Sequence, residues 1–360
     1  MNGGHPRMAR SVSRLLTVER SDPAADVLVV TNSWPHEREP RYGIFVQRKV
    51  DALIDAGVRC DVLFVRGFES PLAYAAAALR LLRLGLARRP RYRLVHGHGG
   101  ETVVPCVLHV RGRRVVSFYG DDLMGTPRPD GSLTLVSRVK RVALRNLARL
   151  CTATITQSRQ MEDTLPGPVR RRNVVMPSGV NRDLFRPIDR DEARRDLGWD
   201  DTGPVALFAA DPELPRKRYA LAEAACEEAR RRGFPVRLHV AASVAPDRMP
   251  VVMSAADCLL LPSKVEGSPN VVKEAVMCNL PVVATDAGDV REVLDPVTPS
   301  FVCEASGEAL GEALAACLEA GRSNGREVSE RLDERRLTAE LRDLLESLAG
   351  GGAPALAAGR

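Results

Sequence analysis

Aromatic residues and long apolar runs are scarce in this chain of 360 residues. Phe, Trp and Tyr together make up 4% of it. The longest apolar stretch, 72–86, is interrupted by Arg80 and Arg83, whereas a membrane-spanning helix needs about 20 consecutive apolar residues. The first twenty residues carry arginines but no continuous apolar segment, so we predict no signal peptide and a disordered tail over 1–22. These absences predict a cytoplasmic globular protein.

Paired cysteine motifs are also missing. The sequence contains eight cysteines but no Cys-x-x-Cys, and most of them lie in apolar surroundings. This distribution is typical of core cysteines in a reducing compartment. It argues against a disulfide framework and against a structural zinc site.

The positive charge of the chain comes without a nucleic-acid or dinucleotide motif. The formal net charge is +6 and the pI is about 9.0. The sequence has no helix-turn-helix pattern, no zinc knuckle and no Gly-x-Gly-x-x-Gly, so neither nucleic acid nor NAD is expected as a partner. An anionic membrane surface, an anionic substrate and a GC-rich genome remain as explanations of the charge.

One stretch in the second half of the chain has a clear strand–loop–helix–strand pattern. It begins with an apolar run, 258–261, short enough for a buried parallel strand. A loop with Gly267, Ser268 and Pro269 at its tip follows, and Asn270 is predicted to cap the next helix. The next strand is predicted over 281–285. The loop should therefore lie at the carboxyl edge of a parallel sheet, where open α/β folds bind ligands.

Two carboxylates bracket this loop and suggest a ligand. Glu266 lies in the loop, and Glu274 follows eight positions later in the helix. A helix N-terminus with free N–H groups suits phosphate, and a carboxylate accepts hydrogen bonds from the hydroxyls of a ribose or hexose. The alternative is an ordinary loop with two solvated glutamates. Spacing alone does not decide between the two.

The rest of the chain alternates short apolar runs with helical patterns. This alternation predicts a doubly wound α/β fold in two domains. A charged segment with Gly198 and Gly203 places a linker at 189–203, between domains at 23–188 and 204–325. A last helix is expected over 329–348 within the segment 326–348, followed by a disordered tail over 349–360.

Two basic segments with a helical pattern allow more than one interpretation, including contact with a membrane. The segment 71–89 mixes Ala, Leu and Arg, and 137–150 interleaves five cations with Val and Leu. Each pattern fits a packed helix with a solvated cationic face. Each also fits a surface that lies on a membrane, and 137–150 would equally suit an anionic acceptor.

Two predicted strands in the first half end in polar groups. They bring His96, His98, Tyr119, Asp121 and Asp122 to a sheet edge. Histidines two positions apart can bind a metal ion, but no third ligand is evident, so no metal site is predicted.

The stretch 262–275, followed by 280–285, Gly288 and Glu292, closely resembles the donor-site motif of the retaining GT-B glycosyltransferases of family 4. Residues 174–187 also resemble the family's segment that closes the first domain. The resemblance covers about 26–348. It implies a GT-B fold, with two Rossmann-like parallel-sheet domains facing a central cleft. The first would be the acceptor side and the second would bind the nucleotide sugar, with the final helix packing back on the first domain.

The resemblance also implies roles for individual residues. Glu266 and the loop amides would face the donor sugar and diphosphate, Glu274 would hold the ribose hydroxyls, and Lys217 would neutralise the diphosphate. The catalytic candidates are thus Lys217 and Glu266. The further donor-binding candidates are Gly43, Arg216, Arg218, Gly267, Ser268, Pro269, Asn270, Val271 and Glu274. The acceptor-side candidates are His96, His98, Tyr119, Asp121 and Asp122.

Two departures from the family pattern leave questions open. Relatives have an arginine about five residues before the position of Lys217, where this chain has Asp211 or Pro212. Arg216 or Arg218 would compensate. Many relatives have a histidine where this chain has Tyr119, which leaves the acceptor chemistry open.

The resemblance implies a metal-independent bacterial glycosyltransferase without cofactor. It would transfer a hexose from a UDP-, GDP- or dTDP-sugar to a polysaccharide, a glycolipid or a small molecule, for example in cell-envelope biosynthesis. The enzyme would lie in the cytoplasm, with a peripheral contact to the inner membrane face as an option. An epimerase or hydrolase of nucleotide sugars, and a non-catalytic nucleotide-sugar-binding partner, are the alternatives.

Overall fold

The structure is a computed structural model that describes residues 10–11, 15–40, 42–88, 91–125, 132–199 and 203–352. The chain divides into two compact units. Of the described residues, those up to 125, 133–176 and 338–352 belong to the first unit. Residues 132 and 177–337 belong to the second, so the chain enters that unit at 177 rather than at the predicted boundary of 188.

Eight strands form the sheet of the first unit. They are β1 Arg10–Ser11, β2 Leu16–Arg20, β3 Val27–Thr31, β4 Cys60–Val65, β5 Leu94–His98, β6 Arg113–Ser117, β7 Ala153–Thr156 and β8 Asn173–Val175. The order is β1-β2-β4-β3-β5-β6-β7-β8, with β1 and β2 antiparallel to their neighbours and all later pairs parallel. β2 contradicts the prediction of a disordered tail over 1–22, because Leu16–Arg20 pairs with β4. Residues 1–9, 12–14 and 353–360 of the two predicted tails lie outside the described part.

The helices of the first unit cover its sheet. They are α1 Ile44–Asp55, α2 Leu72–Leu86, α3 Val103–Val107, α4 Asp121–Met124, α5 Leu135–Leu147, α6 Arg159–Asp163 and α7 Gly167–Arg170. One core cluster joins buried residues of α2, α3 and α5 to Val30, Leu63 and Val116 of the sheet. In the parallel register, these three sheet residues lie on the same face. The three helices therefore form one layer over that face.

The second unit is built on a fully parallel sheet. Its strands are β9 Val205–Phe208, β10 Arg237–Val240, β11 Cys258–Leu261, β12 Val282–Thr285 and β13 Phe301–Cys303, in the order β10-β9-β11-β12-β13. β9, β11 and β12 are buried along their whole length. This burial explains their continuous apolar sequences, since helices cover both faces of such a sheet.

Most helices of the second unit follow these strands. They are α8 Arg190–Leu197, α9 Tyr219–Arg231, α10 Met249–Ala255, α11 Asn270–Met277, α12 Val290–Leu294, α13 Gly307–Ala320 and α14 Gly325–Val328. α8 shows that the predicted linker at 189–203 is wrong for 190–197; residues 200–202 lie outside the described part. Asp189 caps this helix, and Arg194 is buried with its guanidinium 2.9 Å from Asp257 Oδ2. The charge that suggested a linker therefore holds the helix onto the unit.

The last helix, α15 Glu334–Ala349, begins later than the predicted start at 329. A 3-10 helix, Glu330–Leu332, precedes α15. The residues of α15 from 338 onward belong to the first unit. The eight cysteines are all unpaired, and seven are buried, which confirms the prediction of core thiols. Within the described residues, the helices lack the combination of length and apolarity that crossing a membrane requires.

Candidate functional site

The predicted ligand loop lies between β11 and α11 in the second unit. Pro262 and Ser263 are buried behind it, and the loop residues 265–268 are half-buried. Pro269 takes the position before the helix, and Asn270 is the first helical residue rather than the predicted cap. Among the described residues no side chain caps α11, so its first amides are not occupied by a capping group. Such an N-terminus can bind an anion.

A cationic turn lies directly against this loop. A 3-10 helix, Pro215–Lys217, precedes α9, and the carbonyl of Arg216 accepts a hydrogen bond of 2.8 Å from the Lys264 amide. Lys217 Nζ donates to Glu266 Oε1 at 2.6 Å, and an Arg216 guanidinium nitrogen lies 3.6 Å from Glu266 Oε2. The two catalytic candidates are therefore in direct contact, and Arg216 joins them.

Arg218 adds a third cation at an unusual backbone position. It adopts φ 53° and ψ 52°, in the left-handed region, directly before α9. For a residue with a long side chain this conformation costs about 1 kcal/mol or more. The first turn of α9 has no acidic residue, and no side chain of the described part caps the helix. Three consecutive cations thus stand at a helix N-terminus, where the helix dipole favours an anion.

A buried ion pair between Lys273 and Asp289 contacts Ser268 of the loop. Lys273 of α11 is fully buried, and its Nζ lies 3.5 Å from Asp289 Oδ2 and 3.3 Å from the carbonyl oxygen of Ser178. Ser268 Oγ accepts a hydrogen bond from Lys273 and donates one of 2.5 Å to Asp289. Burial lowers the pKa of Lys273, whereas Asp289 favours its charged form. Ser268 of the loop is therefore fixed between two buried charges.

Gly288, directly before Asp289, lies very close to the loop backbone. It has φ 68°, and a Cβ at this position would lie 2.7 Å from the carbonyl oxygen of Gly267. No side chain fits there without moving the loop, because the obstacle is backbone. Asp289 Oδ1 is buried and has no hydrogen-bond partner among the described residues. The loop thus packs tightly against the turn after β12.

The remaining donor-binding candidates lie at the start of α11. Asn270 is exposed, and Val271 and Glu274 are half-buried. Glu274 lies one turn into the helix and is half-buried, whereas Val272 and Ala275 beside it are buried. The structure thus brings Lys217 and Arg216 together at Glu266, whereas Ser268 of the same loop contacts Lys273 and Asp289. Val271 and Glu274 lie on the helix that follows the loop.

The acceptor-side candidates form a second cluster, in the first unit. His96 and His98 are buried on β5 with ring centroids 4.1 Å apart. His96 Nε2 lies 2.9 Å from Ser117 Oγ, and His98 Nδ1 lies 2.6 Å from the Tyr119 hydroxyl. Burial lowers the pKa of both histidines, that of His96 to about 3, and raises the pKa of Tyr119. All three side chains are therefore uncharged at neutral pH.

The two aspartates after Tyr119 differ in their roles. Asp122 is buried, and its carboxylate accepts hydrogen bonds from the backbone N–H groups of Gly100, Tyr119, Gly120 and Leu123. Burial raises its pKa to about 6, against these bonds, which favour the ionised form. Asp122 is thus engaged in holding the turn, whereas Asp121 is exposed at the start of α4.

Gly43 has a structural reason to be glycine that the sequence did not reveal. It precedes α1 with φ 68°, and a Cβ there would lie 2.2 Å from the backbone of Ser33. Close packing within the first unit therefore requires glycine, whatever else contacts it.

No group of three His, Cys, Asp or Glu side chains in the described part of the chain is arranged to hold a metal ion. His96 and His98 are each joined to a hydroxyl side chain, and the second ring nitrogen of each, His96 Nδ1 and His98 Nε2, is buried without a partner among the described residues.

Sequence reasoning missed Lys273 and Asp289. Lys273 follows two valines in a helix between two fully buried strands, so most of that helix must be buried. A lysine in such a helix needs an acidic partner, and Asp289, after the next strand, is the one that the structure supplies.

Comparison with known proteins agrees with this architecture. The family model "Glycosyltransferase Family 4" matches residues 23–184, and "Glycosyl transferases group 1" matches residues 215–320. The 2-deoxystreptamine N-acetyl-D-glucosaminyltransferase of Streptomyces fradiae is 29% identical over 202 residues. That match spans 47% of this chain and 46% of the relative, so the chain matches just under half of the relative's length.

Solved structures share the fold across nearly the whole chain. Sucrose-phosphate synthase from Thermosynechococcus elongatus superposes with a TM-score of 0.66 and 16% identity, over 91% of this chain and 100% of that one. HepE from Anabaena, in complex with UDP and glucose, gives 0.63 and 16%, over 89% and 99%. These similarities confirm the predicted GT-B fold. The two family models, which match residues 23–184 and 215–320, show that the chain belongs to the glycosyltransferases of family 4.

Proposed function

We propose that this glycosyltransferase takes a hexose from a nucleoside-diphosphate sugar and transfers it, with retention and without a metal ion, to an acceptor hydroxyl. The observation that carries the proposal is the convergence of Lys217 and Arg216 on Glu266, next to the uncapped start of α11. A diphosphate placed there would meet two cations and free amides at once. The fully buried Lys273 and Asp289 behind the loop would keep Ser268 and the neighbouring amides in place.

The chemistry requires stabilisation of negative charge. The bond between the sugar C1 and the β-phosphate oxygen breaks while the bond between C1 and the acceptor oxygen forms on the same face. The acceptor proton passes to the departing phosphate. Lys217 and the loop amides stabilise the charge that develops on the leaving group, as fixed donors do in other enzymes. Glu266 holds Lys217 in position before the donor arrives and then faces the sugar hydroxyls.

The donor and the acceptor are proposed from relatives. HepE has been solved with UDP and with UDP-glucose, which favours a uridine nucleotide. The Streptomyces fradiae relative is named for N-acetylglucosaminyl transfer to 2-deoxystreptamine, so N-acetylglucosamine and glucose are the first sugars to test. Tyr119, which is neutral and half-buried, would present its hydroxyl to a polyhydroxylated acceptor, and the buried His98 would hold that hydroxyl in place.

The direct test is a transfer assay over UDP-, GDP- and dTDP-sugars. Acceptors would be 2-deoxystreptamine, a polyprenyl-phosphate-linked sugar and a glucan oligomer, each with excess EDTA and with Mg²⁺. The anomeric proton coupling of the product reports its configuration. We expect one donor to give product of unchanged configuration in EDTA. An inverted product, free sugar without transfer, an epimerised donor or a strict Mg²⁺ requirement would contradict the proposal.

A binding test is independent of the acceptor. A ligand bound only by the folded state adds about 2.7 kcal/mol at a hundredfold excess over Kd, and each kcal/mol raises Tm by roughly 2–4 °C in domains of this size. We expect UDP to raise Tm by several degrees in EDTA and uridine to do much less. If no nucleoside diphosphate shifts Tm, with or without Mg²⁺, the donor site is misassigned.

A further inference from the structure

The layer of α2, α3 and α5 leaves an unusual amount of apolar surface exposed. Of the fifteen large hydrophobic residues exposed in the described part of the chain, ten lie on these helices or directly after them. They are Leu72, Leu79, Leu86, Val104, Val110, Leu135, Val136, Val139, Val142 and Leu150. Single exposed aliphatic residues are ordinary, but a concentration on neighbouring elements marks an interaction surface.

The exposed residues of α5 form a stripe opposite its buried side. Leu135 and Val136 are each 76% exposed, Val139 is 61% exposed and Val142 is 54% exposed, whereas Leu144 faces the core. The spacing of three and four places the exposed residues on one side of the helix. On α2, Leu72, Leu79 and Leu86 repeat the arrangement at intervals of seven, opposite buried Ala73, Ala77 and Leu81. Both stripes therefore point outward from the same layer.

The same layer is strongly basic. The sequence from 132 to 161 contains six cations and no acidic residue, and from 71 to 120 it contains one acid, Glu101. Glu101 is already paired with Lys140 of α5. Arg83 on α2 and Arg138 on α5 are exposed beside the apolar stripes. The partner of this surface must therefore combine negative charge with an apolar interior.

We propose that the α2–α3–α5 layer docks on an anionic membrane, with its aliphatic side chains in the interfacial region and its arginines at acidic headgroups. A bilayer offers both features over a broad area, and amphipathic basic helices bind it in this way. A second copy joined through the same surface would set cations against cations. Nucleic acid would leave the aliphatic side chains without contacts, and its readers usually stack bases on aromatic side chains, which this layer exposes nowhere among its described residues.

Docking of this layer deepens the proposed function by favouring one acceptor class. Both α5 and the cluster at Tyr119 belong to the first unit, the proposed acceptor side. A membrane-docked first unit fits an acceptor carried by a lipid, such as a polyprenyl-phosphate-linked sugar, better than a freely diffusing one. This step rests on the proposed glycosyl transfer, whereas docking itself does not depend on the donor site.

The test is co-sedimentation of the full chain with vesicles of phosphatidylcholine alone and with one third phosphatidylglycerol. We expect binding to the anionic vesicles only, weakened by salt. Leu135→Asp/Val139→Asp should weaken it at least about tenfold, since the stripe loses apolar burial and gains repulsion. Arg138→Ser should weaken it about fivefold, the contribution of one cation near an anionic surface. Ile54→Asp on α1 and Arg231→Ser on α9, both outside the layer, should bind like wild type.

Three results would overturn the docking proposal. They are no binding to anionic vesicles, equal binding by the stripe variant, and a wild-type dimer that the stripe variant dissociates. Lys217→Ala should bind vesicles normally, so failure of the donor site and failure of docking remain distinguishable. If anionic vesicles bind the protein but a lipid-linked acceptor is used no better than its soluble headgroup, docking stands and the acceptor assignment is wrong.

Discussion

The loop after β11 and the sheet edge around Tyr119 hold their polar groups in different ways. In the second unit, the cationic side chains of Lys217 and Arg216 both contact the carboxylate of Glu266, and Lys273 and Asp289 are buried behind the loop. In the first unit, His96, His98 and Tyr119 are neutral, and the carboxylate of Asp122 is surrounded by backbone N–H groups. A charged site suits an ionic ligand such as a diphosphate. A neutral site suits hydroxyl groups. The contrast therefore fits the proposal that the second unit binds the donor and the first unit binds the acceptor.

The largest effect is expected from variants of the buried charges Lys273 and Asp289, which test whether the charged loop depends on them. Lys273→Met leaves Asp289 buried and unpaired, which should cost about 3–5 kcal/mol of unfolding free energy in urea titrations. Lys273→Met/Asp289→Leu removes both charges and should recover most of that stability. The double variant should nevertheless bind UDP more weakly than wild type, because Ser268 has lost both of its hydrogen-bond partners.

The double variant separates support of the fold from support of the loop. If it regains UDP affinity together with stability, the ion pair is only structural. Arg335→Met, which removes an exposed ion pair with Asp183, is the matched control and should change stability little.

The sequence predicted the strand, loop and helix around the second-unit loop well because these parts are local. Strand, loop and helix over 258–277 follow one another, and their apolar pattern and turn residues agree. Lys217 came from resemblance, and its contact with Glu266 needed the structure, because the two lie in different βα connections. Lys273 was missed because a lysine in a short helix is ordinarily solvent-exposed, and its burial follows only when the buried strands on both sides of the helix are considered.

In the first unit, the sequence failed where pairing is distant. Leu16–Arg20 looked like a tail because its place in the sheet depends on antiparallel pairing with β4, which lies about 45 residues further along the chain. His98 and Tyr119 were both placed at the sheet edge, but their hydrogen bond follows from the register that sets His98 beside Ser117. In the second unit, α8 was mistaken for a linker for a similar reason, because its arginines look solvated until Arg194 is paired with the distant Asp257.

A second way to sharpen the comparison is Lys217→Ala. If Lys217 stabilises charge that builds up on the leaving diphosphate, the loss should appear in kcat, by about a hundredfold. Steady-state kinetics with the donor that the transfer assay identifies would measure it. Arg231→Ala, an exposed cation of α9 paired with Glu228, is the control and should leave kcat unchanged. A normal kcat with a raised KM would make Lys217 a docking contact only.

Glu274 should affect affinity rather than turnover. If its carboxylate holds the two ribose hydroxyls, Glu274→Ala removes hydrogen bonds to a charged group, worth about 1.5–3 kcal/mol of UDP binding. Isothermal titration with UDP would measure the loss. Glu266→Gln should show the opposite balance, with turnover reduced more than affinity, because Glu266 contacts Lys217 and is assigned to the sugar. A Glu274→Ala variant that binds UDP as tightly as wild type would exclude Glu274 from the site.

The smallest effect is expected at the neutral site. Tyr119→Phe removes the hydroxyl that pairs with His98 Nδ1 at 2.6 Å, a loss of about 0.5–1.5 kcal/mol for a hydrogen bond between neutral groups. If this edge serves the acceptor, the loss should appear as a roughly threefold to tenfold lower kcat/KM for the acceptor, while UDP affinity stays at the wild-type value.

Phe45→Leu is the matched control for the Tyr119 variant, since the Phe45 ring contacts that of Tyr119, at 5.0 Å between centroids, but makes no hydrogen bond. It should lower acceptor use less than Tyr119→Phe does. If Tyr119→Phe instead weakened UDP binding and left acceptor kinetics intact, the neutral cluster would serve the donor, and the division between a charged donor site and a neutral acceptor site would be wrong.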